Sequence, residues 1–262
     1  MNAQAKVAPR DSISTAIRGA AASGRPALVG FTTGGFPDRD RFVRDLRAIA
    51  AAADVVEIGV PFSDPMADGA TIQRASFASL KGGFTLPWLL GELEGMRPRP
   101  RVPLLLMSYL NPLLAYGLNR LPDAAAKAGV CGFIIPDLPY EESSEVRAAL
   151  DRVGLALVQM VTPVTPAARL RMLCEASQGF VYAVTMTGTT GKSVAVPDEV
   201  LDYMDRVRVV SPVPVCAGFG IRTAEQVARM HGHVDGVVVG SALVEVLERG
   251  EDPTAFLRAL AP

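Results

Sequence analysis

The stretch VVEIGVPFSDPMADGATIQ, Val55 to Gln73, decides the fold because an apolar run leads into a turn-rich loop and then into a helical segment. Short apolar runs that alternate with helical segments are typical of buried parallel strands. The stretch therefore predicts one unit of strand, loop and helix. It also places one charged residue, Glu57, inside the apolar run.

Seven further apolar runs repeat this arrangement. Eight such units suggest an α/β fold with a closed (β/α)₈ barrel, or TIM barrel, and 262 residues suit a single barrel of that kind. We therefore predict one domain over residues 1–262, with an extra N-terminal helix in SISTAIRGAAASG (12–24) that closes the barrel bottom. The predicted strands cover residues 27–32, 54–60, 102–109, 131–137, 155–161, 179–185, 213–220 and 234–241.

Two intervals between strands are wider than the others, one after strand 2 and one after strand 6. The second contains TMTGTTGKSVAV, residues 185–196. Loops longer than about 12 residues in compact domains are usually functional, and both begin at the strand ends where barrel enzymes build their sites. We expect long loops here, each able to act as a lid.

The composition argues against several classes of partner. Lys plus Arg (26) nearly balance Asp plus Glu (27) and are scattered, so no nucleic-acid surface is predicted. No signal peptide is recognisable, and no apolar run approaches the roughly 18 residues of a membrane span. Cys131, Cys174 and Cys216 have neither disulfide nor zinc-site spacing. We expect a cytoplasmic protein that binds a small molecule, without nucleic acid, membrane or metal.

Glu57 is the first candidate for chemistry. It shares strand parity with Val55, so its carboxylate should point into the barrel mouth, where burial disfavours the charged form and raises the pKa. A carboxyl group of this kind can exchange protons near neutral pH. The alternative is a structural glutamate in a salt bridge at the strand end. Catalysis is favoured, because charged residues are rarely buried without a function.

Three aspartates follow strand ends. Asp68 comes just before a helical segment, and from the residues alone it reads as a turn or N-cap residue. Asp64, in an SDP turn, reads the same way. Asp137 ends the fourth strand and either reaches the site or stabilises its own turn.

Glycines in three loops suggest a phosphate site. GFG (218–220) follows strand 7, and GS (240–241) follows strand 8 and opens a helix. In barrels, backbone N–H groups and a helix N-terminus meet a phosphate at this place. The loop GTTGKS (188–193) after strand 6 could supply more amides, although it is not a P-loop. Single glycines are usually turn formers, but their coincidence at strands 6 to 8 favours phosphate binding.

The remaining polar residues narrow the chemistry. His231 and His233 precede strand 8, on the opposite face of the barrel, so acid–base work falls to carboxylates or tyrosine. No Ser-His-Asp set, metal triad or Schiff-base lysine within a strand is recognisable. A carbon–carbon cleavage without lysine or metal would need a substrate that holds its own electron sink.

Six motifs resemble the tryptophan synthase α subunit family, in that family's order and over nearly the whole chain. The most specific is EIGVPFSDPMADGATIQ (57–73). The others are FTTGGFPD, MSYLNPLLAYG, GFIIPDLPYEES, CAGFGIRTAEQV and VVVGSALVEVL.

The resemblance implies a (β/α)₈ barrel that cleaves indole-3-glycerol phosphate into indole and glyceraldehyde 3-phosphate by a retro-aldol reaction. It implies no cofactor in this chain and a pyridoxal-phosphate β subunit that condenses the indole with serine, in an α₂β₂ heterotetramer for tryptophan biosynthesis. Indole would be the electron sink.

The resemblance also implies roles for individual residues. Glu57 corresponds to the catalytic glutamate that moves protons, and Asp68 to the aspartate that hydrogen-bonds the indole N–H, which reverses the reading of Asp68 as a turn residue. Tyr182 corresponds to a tyrosine beside the substrate. Phe31 and Phe219 correspond to apolar walls of the site, and Thr190 to the threonine that pairs with Asp68 when the lid closes. The phosphate site corresponds to Gly191, Gly220, Gly240 and Ser241. Asp64 and Pro61 correspond to positions at the β-subunit interface.

The loop after strand 6 departs from the family pattern, because TMTGTTG has Thr189 where valine is usual. Two alternatives to a coupled α subunit follow. One is a stand-alone lyase that releases free indole for a secondary pathway, which the altered loop would allow. The other is a non-catalytic partner that activates a synthase, which the joint presence of Glu57, Asp68 and Tyr182 argues against.

Overall fold

The chain forms a closed barrel of eight parallel strands, in a computed structural model that describes residues 8–185, 196–218 and 220–261. Neighbours in sequence are neighbours in the barrel, and the last strand pairs with the first. The predicted TIM barrel is therefore confirmed. The strands are β1 (Ala27–Thr33), β2 (Val55–Gly59), β3 (Leu104–Met107), β4 (Val130–Ile134), β5 (Ala156–Val161), β6 (Val181–Val184), β7 (Val215–Gly218) and β8 (Gly236–Val239).

The described residues form twelve α-helices and one 3₁₀ helix, Tyr140–Glu142. Most of them surround the barrel, where their apolar faces cover the outward side chains of the strands. The α-helices are α1 (Pro9–Ala22), α2 (Arg39–Ala50), α3 (Ala70–Lys81), α4 (Leu86–Gly95), α5 (Leu110–Tyr116), α6 (Leu121–Lys127), α7 (Ser144–Asp151), α8 (Ala167–Ala176), α9 (Asp198–Val210), α10 (Ala224–Met230), α11 (Ser241–Arg249) and α12 (Pro253–Leu260).

Helix α1 closes the N-terminal end of the barrel, as predicted. Ile13 and Ile17 are fully buried and pack with side chains of the barrel interior. The Ser14 hydroxyl donates to the carbonyl oxygen of Gly179 at 2.6 Å. This seal leaves the opposite end, where the strands finish, as the open mouth.

The strands divide the core into two layers because alternate side chains point to opposite faces of a sheet. On β2, Val55 packs inside the barrel, whereas Val56 and Ile58 pack outside against the helices. Glu57 therefore points inward, as its parity with Val55 predicts.

Most strands are shorter than the apolar runs that predicted them. The third run covers residues 102–109, but β3 ends at Met107. Tyr109 is nevertheless only 4 % exposed, because the segment after β3 packs against the loop that follows β2. Apolar residues at these strand ends serve the loops over the mouth as well as the sheet.

The two wide intervals differ in content. Helices α3 and α4 fill most of the first, so the connection after β2 is confined to residues 60–69. It is shorter than the long loop predicted, because the rest of the interval buries apolar side chains as helices. In the second interval, residues 186–195 lie outside the described residues, and with them the predicted lid and the positions of Thr190 and Gly191.

Candidate active site

Glu57 lies on β2 inside the barrel and is fully buried, with 0 % of its surface exposed. Among the described residues, neither of its carboxylate oxygens has a hydrogen-bond partner, and no salt bridge reaches it. Burial raises the pKa of Glu57 to about 8, and the negative charge of Asp68 adds to the shift. Glu57 therefore carries a proton at neutral pH and can give it to a bound molecule.

The surroundings of Glu57 are apolar or aromatic. It pairs in register with Phe31 on β1 and Leu105 on β3, both buried. Tyr182, on β6, also points into the interior and is 9 % exposed. Burial raises the pKa of Tyr182 well above its usual value, and the charge of Glu57 adds to this, so the tyrosine stays neutral.

Two glycines make room for aromatic rings at the mouth. A Cβ atom on Gly59 would lie 2.6 Å from Phe31 Cζ, and one on Gly218 would lie 2.5 Å from Tyr182 Cε1. Real Cβ atoms essentially never approach so closely, so each ring occupies space that only glycine leaves free. Sequence reasoning assigned no role to Gly59. The available signal was that Gly59 lies two positions after the inward residue Glu57, on the strand next to that of Phe31.

Asp68 lies on the loop after β2 and is partly exposed. Its Oδ1 atom accepts a hydrogen bond from the Tyr109 hydroxyl at 3.2 Å. Burial raises the pKa of Asp68, and the bond from Tyr109 opposes that shift. The reading of Asp68 as an N-cap residue is wrong, because the N-cap of α3 is Gly69.

Tyr109 is a site residue that sequence reasoning missed. Its hydroxyl also accepts a hydrogen bond from the backbone N–H of Ala67 at 2.8 Å. The motif MSYLNPLLAYG contains this tyrosine, but only the folded chain brings the end of β3 to the loop after β2. The signal was an aromatic residue with a polar tip directly after a buried strand.

Asp68 and Phe31 line a cleft at the ends of β1, β2 and β3, about two residues beyond Glu57 along β2. The cleft encloses about 310 Å³, including the part open to solvent. Its walls are Phe31, Gly59, Val60, Asp68, Ile72, Ser76, Met107, Ser108, Tyr109 and Pro136.

The glycines predicted to bind phosphate follow the adjacent strands β7 and β8. Gly220 has φ +74°, a conformation that favours glycine, and apart from its chain neighbours no described residue lies within 4 Å of a Cβ built there. Gly240 is the N-cap residue of α11, also with open space beside it, and Ser241 begins the helix. The first N–H groups of a helix lack intrahelical partners, so they are available to an anion. Phe219 lies outside the described residues.

The predicted interface residues share the loop after β2 but differ in exposure. Asp64 is exposed and accepts a hydrogen bond from Ser63, whereas Pro61 is buried. Met66, which sequence reasoning did not assign, is 78 % exposed on the same loop. The loop thus presents both a charge and an apolar side chain to solvent.

His231 and His233 lie away from this mouth. His231 is the C-cap residue of α10, and His233 Nδ1 lies 3.0 Å from the Asp205 carboxylate. Both precede β8 at its N-terminal end, as expected from the sequence.

Comparison with known proteins identifies the family. The sequence profile described as "Tryptophan synthase alpha chain" matches residues 17–260. The chain belongs to the tryptophan synthase alpha chain family. The family prediction made from the six motifs is therefore confirmed.

Two relatives within the family show how far the similarity extends. The alpha chain of Solidesulfovibrio magneticus is 46 % identical over 94 % of this chain and 96 % of its own length. An alpha chain of Nitratidesulfovibrio vulgaris is 44 % identical over the same shares.

Solved structures in the family have the same fold. Tryptophan synthase from Mycobacterium tuberculosis, in space group F222, superposes with a TM-score of 0.87 at 36 % identity and covers 95 % of this chain and 96 % of that chain. The alpha chain from Legionella pneumophila superposes with a TM-score of 0.85 at 30 % identity and covers 95 % of each.

Membership in the tryptophan synthase alpha chain family establishes the class of reaction. The chain is a carbon–carbon lyase that acts on indole-3-glycerol phosphate, with a role in tryptophan biosynthesis. The stand-alone lyase and the non-catalytic partner are not favoured. The family implies a β-chain partner. No helix in the described part of the chain is long and apolar enough to cross a membrane.

Proposed function

We propose that the chain cleaves indole-3-glycerol phosphate by a retro-aldol reaction, in which Glu57 moves the protons and Asp68 stabilises the charged indole ring. The observation that carries the proposal is the carboxyl group of Glu57, which is fully buried and has no hydrogen-bond partner among the described residues. Burial raises its pKa, and the charge of Asp68 at the rim raises it further. Two carboxyl groups in such different surroundings can divide acid and charge-stabilising roles.

The proton balance follows from the substrate. Glu57 gives its proton to carbon 3 of the indole ring, which becomes a cationic indolenine. The hydroxyl group on the attached side-chain carbon then returns a proton to Glu57 as its C–O bond becomes a carbonyl. The carbon–carbon bond breaks, and its electron pair restores the aromatic ring. One carboxyl group thus ends the reaction in the protonation state in which it began.

Asp68 acts on the positive charge that develops in the ring. A carboxylate that accepts a hydrogen bond from the indole N–H favours the indolenine over neutral indole, and such an interaction is strongest where water is excluded. Asp68 lines the cleft with one side toward solvent, so it is suited to remain ionised while Glu57 is protonated. Phe31 and Tyr182 would hold the apolar faces of the ring.

The phosphate of the substrate would bind between the ends of β7 and β8. Gly220, Gly240 and Ser241 would contribute backbone N–H groups there, together with the N-terminus of α11. In this proposal Gly191 adds to the phosphate site, Thr190 pairs with Asp68 when the loop closes, and Phe219 forms a second apolar wall. Anchoring the phosphate would hold the reacting carbon near Glu57.

We further propose that the chain works in an α₂β₂ heterotetramer and that the β chain, which would carry pyridoxal phosphate, receives the indole. This chain would need no cofactor of its own, because the indole ring is the electron sink. Asp64 and Pro61 would lie at the interface, and the exposure of Met66 (78 %) on the same loop supports an apolar contact there. The free thiols of Cys131, Cys174 and Cys216 support a cytoplasmic location.

Steady-state cleavage of indole-3-glycerol phosphate tests the proposal, with and without a tryptophan synthase β chain. We expect slow release of glyceraldehyde 3-phosphate by the isolated chain and a sharp increase with the β chain. Fast turnover that ignores the β chain would overturn the coupled role and leave a stand-alone lyase. No turnover under either condition would overturn the proposed reaction.

A further inference from the structure

Tyr109 connects the catalytic loop to the body of the barrel. The residue follows β3, is 4 % exposed, and its hydroxyl makes two hydrogen bonds to consecutive loop residues. It accepts from the N–H of Ala67 at 2.8 Å and donates to Asp68 Oδ1 at 3.2 Å. Phe62, earlier in the same loop, packs its ring 5.4 Å from the Tyr109 ring. Phe62, Ala67 and Asp68, three residues of the loop after β2, therefore contact Tyr109.

The backbone around Tyr109 is held from β4 and the segment after it. The Ser108 N–H donates to the Ile134 carbonyl at 3.0 Å, and the Leu110 N–H donates to Asp137 Oδ1 at 2.9 Å. The Ser108 hydroxyl donates to the Tyr109 carbonyl at 2.8 Å. A tyrosine whose backbone is held on both sides can fix the position of the side chain that its hydroxyl group contacts. The sequence left open whether Asp137 reaches the site or stabilises its own turn. In the structure its carboxylate accepts a hydrogen bond from Leu110, the first residue of α5.

The hydrogen bond from Tyr109 acts on one form of Asp68 more than on the other. A hydroxyl group that donates to a carboxylate forms a charge-assisted bond, stronger than a bond to the neutral acid. Burial works in the opposite direction, because it raises the pKa of Asp68. The mechanism proposed above needs an ionised Asp68 beside a protonated Glu57. The hydroxyl group of Tyr109 therefore helps to keep the two carboxyl groups in different protonation states.

We propose that Tyr109 is the positioning residue of Asp68: its hydroxyl aims the carboxylate into the cleft and favours the ionised form. The inference rests on the proposed function, since it assigns Tyr109 a part in the same reaction. Tyr109 acts through Asp68. The fixed geometry of the two hydrogen bonds, with the ring packed against Phe62, carries the assignment.

The test compares Tyr109→Phe with wild type in the full chain with its β partner. The substitution keeps the ring and its packing and removes only the hydroxyl group. We expect kcat for cleavage to fall about ten- to a hundredfold, the range of one hydrogen bond to a charged group, while KM changes less than threefold. Tyr116→Phe makes the same chemical change on α5, where the ring packs under Arg120, and should leave kcat unchanged.

A second measurement is independent of turnover. Carbon-13 NMR of labelled aspartate, assigned with Asp68→Asn, follows the titration of the Asp68 carboxyl group in the isolated chain. We expect its pKa to rise in Tyr109→Phe and to stay at the wild-type value in Tyr116→Phe. Unchanged kcat together with an unchanged Asp68 titration in Tyr109→Phe would overturn the inference while the proposed function stands. If wild type cleaves nothing, the proposed function fails, and the titration alone decides whether Tyr109 controls Asp68.

Discussion

The ring of Tyr182 occupies the space that a side chain at Gly218 would need, with Cε1 only 2.5 Å from the position of an added Cβ. The two residues lie on neighbouring strands, and Val184, the next inward residue of β6, is the register partner of Gly218. The tyrosine ring therefore leans from its own strand across the next one. The absence of a side chain at Gly218 thus sets the position of the Tyr182 ring, which we propose as part of the substrate wall.

Gly218→Ala should displace the Tyr182 ring. The contact is too close for any real Cβ, so the ring or β7 must shift, and overpacking of this kind costs about 1–3 kcal/mol in the free energy of unfolding. We expect kcat/KM to fall as well. Urea denaturation and steady-state cleavage measure the two effects. Gly91→Ala, on α4, is the control and should not be destabilised, because outside the helix's own backbone an added Cβ meets no described group within 4 Å. Equal behaviour of the two variants would contradict the role of Gly218.

Glu57→Gln should abolish most of the cleavage while the barrel stays folded. Glutamine keeps the shape but cannot exchange the proton, and general acid–base catalysis is worth about 10²–10⁴ in rate. Steady-state turnover gives the loss, and binding of a substrate analogue by calorimetry shows whether the site remains formed. Glu145→Gln, an exposed change on α7, should turn over like wild type. Turnover by Glu57→Gln at the wild-type rate would remove Glu57 from the mechanism.

The pH dependence of stability should differ between wild type and Glu57→Gln. The pKa of Glu57 is about 8 in the folded chain against 4.5 for an exposed glutamate. Between these values the folded state holds a proton that the unfolded state has released, so stability is full below pH 4.5 and is lost as the pH rises through about 8. Glutamine does not titrate, so the stability of Glu57→Gln should rise relative to that of wild type across this pH range.

Urea denaturation at several pH values measures that gain. From the size of the shift, the difference in the free energy of unfolding between variant and wild type should change by roughly 3–5 kcal/mol from acid to alkaline pH. Glu145→Gln, whose side chain is exposed, should follow wild type at every pH. A difference between Glu57→Gln and wild type that stays constant with pH would mean that Glu57 titrates normally.

Asp68→Asn should lower the rate and also change the titration of Glu57. Loss of the carboxylate removes a stabilising group from the transition state, which costs about 10²–10³ in kcat. It also removes the charge that raises the pKa of Glu57, so that pKa should move down. Turnover and carbon-13 NMR of labelled glutamate measure the two effects. Asp202→Asn, exposed on α9, should change neither, and near-normal cleavage by Asp68→Asn would return Asp68 to a structural role.

The barrel could be predicted from sequence because its strands are local and repetitive. Each strand is a short apolar run, and the side-chain period of two assigned Glu57 to the interior without knowledge of its neighbours. The common location of the glycines that we propose to bind phosphate could also be predicted, because turns after β7 and β8 meet at the same end of the barrel. The length of the connection after β2 was harder to predict, since helices α3 and α4 took up most of the interval.

Asp68 is a residue whose contacts could not be predicted from the local sequence. A polar residue just before a helix is usually a cap, and the sequence alone supported that reading. The cap is Gly69, however, and the side chain of Asp68 is bonded to Tyr109, 41 positions further along the chain. No pattern within the loop contains that partner, so only the resemblance to a family corrected the reading.

The sequence by itself determined the barrel, the inward position of Glu57 and the family, because these depend on period, order and motif. The tertiary structure decided what surrounds Glu57, which hydroxyl holds Asp68 and why Gly59 and Gly218 have no side chain. These features depend on contacts between strands and loops that are distant in sequence. Burial and hydrogen bonding set the pKa of a carboxyl group, and both exist only after the barrel has closed.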